Sequence, residues 1–248
     1  MTIKLKGSFG PITGAMNVGD VQSSSPINPV TSGLYAGWDA TESEKHTITN
    51  GKITKWGSSN PNVWAETQVA NEGASITSQN GQQAISMDNR MFISDSSATT
   101  FTQYTVLITA IVGTSTHPIR LGADGNTRYT YAGLEIQQGN NSVDWISGYG
   151  NNKRGTATGI GTGFHKWSIT QNNNVHTAVI YDNNIQPTLS NIGSNDNVNL
   201  KLGTISYSGA NQGSFYEGSV ICEVLFYNRI LTAQELTDTN NYMTTKWG

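Results

Sequence analysis

The chain has 248 residues, enough for one large domain that buries its own core without disulfides. Asp, Glu, Lys and Arg make up only 12% of it, about half the share usual in soluble domains, and polarity comes from Asn, Thr, Ser, Gln and 27 glycines. A net charge of −3 without a Lys/Arg cluster excludes the counterion-release binding of nucleic acid, and no apolar run approaches the roughly 20 residues of a membrane-spanning helix.

In chain order, residues 1–33 read as an extended N-terminal arm with one short strand at Ile3–Leu5. They carry Pro11, Pro26 and Pro29, a Ser23-Ser24-Ser25 run and few apolar patterns. Met1 to Gly7 alternates polar and apolar residues and lacks the apolar block of a signal peptide. Residues 34–248 read as one β-domain. Its candidate strands are Leu34–Trp38, Ile53–Trp56, Gln83–Met87, Tyr104–Val112, Ile119–Leu121, Tyr129–Ile136, Ser142–Ile146, His165–Gln171, His176–Tyr181, Leu200–Leu202 and Gly218–Tyr227. Turn clusters such as Asn50-Gly51, Asn80-Gly81 and Asn172-Asn173-Asn174 separate them, because Gly and Asn accept the positive φ of tight hairpins. Lys166 to Tyr181 reads as a hairpin.

The one helix is expected at the C-terminus. Thr232-Ala233-Gln234-Glu235 has the form of a capping box, and Leu236, Met243 and Trp247 recur at helical spacing. The single cysteine, Cys222, lies in the apolar run Val220 to Tyr227 and reads as a buried, inert thiol.

The stretch Phe215 to Leu231, which contains Glu223 and Tyr227-Asn228-Arg229, leads into the capped helix and the ending Lys246-Trp247-Gly248. Together with Trp38-Asp39-Ala40 and Trp56 near residue 34, it resembles the closing and opening sections of concanavalin A-like lectin/glucanase domains of the laminin-G-like type. The resemblance implies an all-β, two-sheet antiparallel jelly-roll sandwich with a short C-terminal helix behind the N-terminal arm. That family includes lectins, glycosidases, adhesion modules and bacteriophage structural proteins, so fold alone does not settle function.

Catalysis is not expected. The glucanase branch resembles a Glu-x-Asp-x-Glu strand, and Glu42-Ser43-Glu44 offers two acids in a polar turn without the third. Glu217 and Glu223 stand six residues apart, with Glu223 expected to be structural and to bond a loop backbone. His165 and His176, near the ends of the hairpin, could face one another but lack a third zinc ligand.

For sugar binding the loop candidates are Tyr149 as a stacking platform with Asn151 and Asn152 beside it, while Trp64 and Trp145 read as core. Asp124 and Asn126 are the candidate calcium ligands, and no cofactor other than calcium is expected. The resemblance, the arm and the Thr/Asn/Gly-rich surface together lead to a non-catalytic virion structural protein, a capsid decoration or tail accessory protein attached through its arm. Its expected partners are capsid or tail proteins and host-surface glycans, in an oligomeric or multivalent arrangement on the virion surface after assembly in the host cytoplasm. The alternative is a carbohydrate-binding lectin or adhesion module.

Overall fold

A computed structural model describes residues 28–68, 72–97, 99–112, 119–123, 131–137, 142–148, 153–158, 163–172, 177–182, 200–202, 214–215 and 217–248, with backbone alone for 121–158, 177–182 and 200–201. Its strands are β1 Leu34–Asp39, β2 His46–Thr49, β3 Lys52–Gly57, β4 Val63–Glu66, β5 Ser75–Gln79, β6 Gln82–Ser86, β7 Met91–Asp95, β8 Thr100–Phe101 and β9 Gln103–Val112. They continue as β10 Ile119–Ala123, β11 Tyr131–Gln137, β12 Ser142–Gly148, β13 Lys153–Thr158, β14 Gly163–Asn172, β15 Thr177–Asp182, β16 Leu200–Lys201, β17 Ser214–Phe215 and β18 Ser219–Tyr227. The helix α1, Ala233–Trp247, closes the chain.

The strands form two antiparallel sheets. The first runs β15-β14-β9-β18-β6-β5, and β1 also pairs with β18. β6 takes Val220 and Ile221, whereas β1 takes Glu223 to Tyr227. The second sheet runs β13-β12-β11-β10-β17-β7-β4-β3-β2, with β16 and β8 extending from β10. The expected two-sheet sandwich with a C-terminal helix is what the described residues show.

Two Asn-Gly pairs behave as the sequence implies. Asn50 and Gly51 (φ 51° and 76°) turn β2 into β3, and Asn80 and Gly81 (φ 48° and 77°) turn β5 into β6. The hairpin expected over Lys166 to Tyr181 is β14–β15, paired from Trp167↔Asp182 to Asn172↔Thr177. His165 lies beyond its paired end, opposite Ala110 of β9. His176 itself is outside the described residues, as are residues 1–27 with the expected Ile3–Leu5 strand.

Between the sheets lies an aromatic core. Trp38 of β1 meets Phe215 of β17 edge to face at 5.4 Å, and Trp56 of β3 meets the same ring at 5.5 Å. Phe226 stacks on Tyr104 at 5.7 Å and meets Phe101 at 4.9 Å, so the two sheets share one core.

β9 and β18 are buried along nearly their whole length, which alternation against one core cannot explain. Their second face is covered at Thr109 by α1, whose Met243 sulfur accepts from the Thr109 hydroxyl at 3.2 Å. A bulge in β18 decides which residues point there. Ile221 pairs with Ala110, but Glu223 pairs with Thr109, leaving Cys222 as the extra residue. Simple alternation would put Ile221 and Glu223 on one face; the bulge sends Ile221 into the core and Glu223 toward the helix.

Candidate functional site

Among the described residues, two clusters of polar side chains bear on function, one beneath α1 and one at the end of three strands in the second sheet.

The first is enclosed. Glu223 is 2% exposed. Its carboxylate accepts from Tyr242 Oη at 2.8 Å and Trp247 Nε1 at 2.7 Å, with Lys246 Nζ at 3.1 Å. Lys246 also bonds Asp39 and donates to Tyr242 Oη at 2.9 Å. Burial pushes the Glu223 carboxyl above the usual carboxylate range, against the opposing pull of Lys246. Glu223 is therefore structural, but its partners are side chains of the terminal helix and not the loop backbone expected from the sequence. The other end of α1 is fixed by the predicted capping box, with Glu235 N donating to Thr232 Oγ1 at 3.3 Å and Thr232 N to Glu235 Oε2 at 2.8 Å. Arg229 makes a two-pronged contact to Glu235 at 2.8 and 2.6 Å and donates to Ser32 O at 2.9 and 3.1 Å. It thereby ties residues 28–33 to the start of the helix, as does Tyr227 Oη donating to Val30 O at 2.8 Å.

The second cluster is open. β4, β7 and β17 are antiparallel neighbours, so the end of β4, the start of β7 and the end of β17 meet at one end of the sheet: Glu66 stands opposite Phe92, and Met91 opposite Phe215. The chain leaves β4 through Thr67 and Gln68, approaches β7 through Asn89 and Arg90, and leaves β17 toward Glu217. With Glu72 and Phe92 these residues line a cleft of ≈ 340 Å³. Backbone bonds fix its rim: Thr67 N donates to Thr54 O at 3.0 Å, Gly218 N to Met87 O at 3.0 Å, and Met87 N to Ser219 O at 2.8 Å. Glu72 precedes a backbone bridge in which Ile53 and Ala74 exchange bonds of 2.8 and 3.1 Å. A Cβ on Gly73 would lie 2.3 Å from Ile53 O, so this close approach requires glycine.

Alternation sets what faces outward beside the cleft. Met91 and Ile93 enter the core, leaving Phe92 half-buried on the outer face; Val63 and Ala65 likewise leave Trp64 and Glu66 outside. Along one register row, Lys55, Glu66, Phe92, Ser214 and Arg120 stand successively opposite one another. Lys55 Nζ sits 4.3 Å over the Trp64 ring, and Arg90 Cζ 5.8 Å from the Phe92 centroid. Arg90 Nε also lies 3.9 Å from Glu217 Oε2, with the two side chains 39% and 57% exposed. The cleft thus presents amides, a hydroxyl, carboxylates and a guanidinium around an aromatic ring.

The sequence-derived site residues Tyr149, Asn151, Asn152, Asp124 and Asn126 lie outside the described residues. Glu42 and Glu44 fall in and beside a 3-10 turn at Ser43–Lys45, where Lys45 pairs with Glu42 at 2.5 Å. Trp64, read as core, is only half-buried and lies on the outer face, because Val63 and Ala65 take the inward positions. Among the described residues no group of three His, Cys, Asp or Glu side chains could hold a metal ion. Of the cleft residues the sequence reading singled out Glu217 alone. The apolar run Met91-Phe92-Ile93 was the available signal for β7, and so for Phe92.

The architecture defines an antiparallel two-sheet β-sandwich with a helix laid on one outer face. No family model matches the chain, and no curated protein matches it in sequence. Its fold is similar to that of solved structures of two kinds. A Trypanosoma rangeli sialidase in complex with the inhibitor DANA aligns with a TM-score of 0.55 at 12% identity, over 90% of this chain and 36% of that one. The binding domain of botulinum neurotoxin DC in complex with SialylT aligns with a TM-score of 0.53 at 9% identity, over 86% of this chain and 51% of that one. A botulinum neurotoxin type C structure, from a study of cell entry dependent on two ganglioside molecules, gives 0.51 at 7% identity, over 85% and 51%. The chain spans about a third of the sialidase and about half of the toxin chains, and the likeness is one of fold. Neither these neighbours nor the described contacts support the virion role expected from the sequence.

Proposed function

We propose that this chain is a non-catalytic carbohydrate-binding domain whose site is the cleft at the ends of β4, β7 and β17. The observation that carries the reading is the pairing of the Phe92 ring with Thr67, Gln68, Asn89 and Arg90 around one cleft. A sugar presents a C–H face that packs on an aromatic ring and a rim of hydroxyls that both donate and accept. Amide, guanidinium and carboxylate groups satisfy such hydroxyls in pairs. The size falls within the range of small-ligand sites, and the backbone bonds at its rim reduce the ordering cost of binding. That structural neighbours of the fold are described with sialylated and ganglioside ligands supports the choice of ligand class.

A glycan panel probed with the full chain tests this reading, followed by titration calorimetry on the best ligand. Phe92→Ala and Arg90→Ala should each weaken binding at least tenfold while leaving the unfolding midpoint near the parent value. Unchanged affinity in both variants would move the site elsewhere. Glu72 and Glu217 both line the cleft and glycoside hydrolysis uses two carboxyl groups, so the bound glycan is recovered and weighed. Intact glycan is the expected result; released sugar that disappears in Glu217→Gln would replace the binding role with a catalytic one.

A further inference from the structure

We infer that the cleft selects neutral glycans and discriminates against those ending in a carboxylated sugar. This rests on the carbohydrate-binding reading above and specifies its ligand class. Glu72 and Glu217 bring two carboxylates to the cleft, and Arg90 is the one cationic side chain among the described residues of its lining. That guanidinium is already placed between two cleft groups, with Nε 3.9 Å from Glu217 Oε2 and Cζ 5.8 Å from the Phe92 ring.

A carboxylated sugar that used Arg90 would share its charge with Glu217, and it would bring a third negative charge beside two. A neutral sugar meets neither obstacle. Its hydroxyls donate to Glu72 and Glu217 and accept from Arg90, so every charged group gains a partner and none is stripped of one. Along the outer-face row, Glu66 stands directly opposite Phe92 and nearest the cleft, with Lys55 beyond Glu66 and Arg120 beyond Ser214. The sialylated ligands named for the toxin neighbour therefore do not transfer with the fold.

The experiment uses the full chain and pairs of glycans identical except for a terminal sialic acid, with affinities measured by calorimetry at low and at physiological salt. The unsialylated member of each pair should bind more tightly at low salt, by about threefold or more for one like-charge contact across roughly 7 Å of hydrated surface. Added salt should narrow the difference. Glu72→Gln/Glu217→Gln should narrow it further by improving sialylated binding, an effect that loss of fold cannot produce. Tighter binding of the sialylated members would overturn the inference and leave the carbohydrate-binding role standing. Failure of every glycan to bind would instead overturn that role, and this inference with it.

Discussion

Removing the Glu223 carboxylate should strike the attachment of the terminal helix, and its cost can be worked from the contacts. In Glu223→Ala the buried Trp247 indole N–H loses its acceptor at 2.7 Å, Tyr242 loses one at 2.8 Å, and Lys246 keeps only Asp39 as an anionic partner. An orphaned buried donor costs about 1–3 kcal/mol, and a charge-assisted hydrogen bond contributes about 1.5–3 kcal/mol. Relief from burying a charge offsets part of this, since burial pushes the Glu223 carboxyl upward in the first place. The net expectation is a loss of roughly 3 kcal/mol, a large share of the 5–15 kcal/mol typical of a folded domain. Glu223→Gln keeps an acceptor oxygen and should lose only about half as much. Urea unfolding followed by far-ultraviolet circular dichroism measures both, and the slope should stay constant if only stability has changed. The pair also has a pH signature. Because the folded-state pKa of Glu223 lies above the unfolded one, its contribution is complete below the ordinary carboxylate range and is lost as pH rises through the folded value. The stability difference between parent and Glu223→Gln should therefore shift against the parent as pH rises through that interval. A loss under about 1 kcal/mol in Glu223→Ala would show that the cluster does not anchor the helix.

At the other end of the helix, Thr232→Ala removes the hydroxyl that accepts from Glu235 N and should cost about 1 kcal/mol in the same urea assay. Arg229 and the Thr232 backbone hold the Glu235 carboxyl down at about 2, so its contribution persists above the usual carboxylate range and fades as pH falls toward that value. Acid titration of the helical dichroism should show this limb in the parent and not in Glu235→Gln. Gly73→Ala forces a Cβ against Ile53 O and should destabilise the domain by about 2 kcal/mol or more, while weakening ligand binding through the adjacent Glu72. Burial pushes the Cys222 thiol up to about 12, so a thiol reagent at mildly alkaline pH should label it only after denaturation; rapid labelling of the native chain would contradict its placement.

What the sequence revealed and what it concealed follow from the same rule. β9, β14 and β18 were legible because long apolar or alternating runs face a core, and α1 because its cap and stripe are local signals. β5 and β13 were not, since Ser-Ile-Thr-Ser-Gln and Lys-Arg-Gly-Thr-Ala-Thr carry no apolar alternation, and each ends its sheet, where pairing rather than burial defines the strand. Glu223 could be recognised as structural, but its direction could not, because the bulge at Cys222 reverses the parity on which a period-two reading depends. The cleft was hidden for a different reason. Its residues lie at three strand ends far apart in the chain, and only the register of β4, β7 and β17 brings them together.

The distribution of polar groups over the two outer faces favours the second sheet for the proposed glycan cleft. On the first sheet, polar residues along β9 and β18 already have partners: Thr105 Oγ1 donates to Arg229 O at 3.0 Å and accepts from Leu231 N at 3.1 Å, Thr109 bonds Met243, and Glu223 bonds three side chains of α1. A ligand approaching there would have to displace the helix and leave those groups unsatisfied, at a cost of several kcal/mol before any contact of its own formed. At the end of β4 and β7 the corresponding obstacle is water and a loose ion pair between half-exposed Arg90 and Glu217. Exposed pairs of that kind contribute about 0–1 kcal/mol, so this one offers little resistance to sugar hydroxyls bonding beside it. The helix thus closes one face of the sandwich, and the proposed recognition site lies on the other.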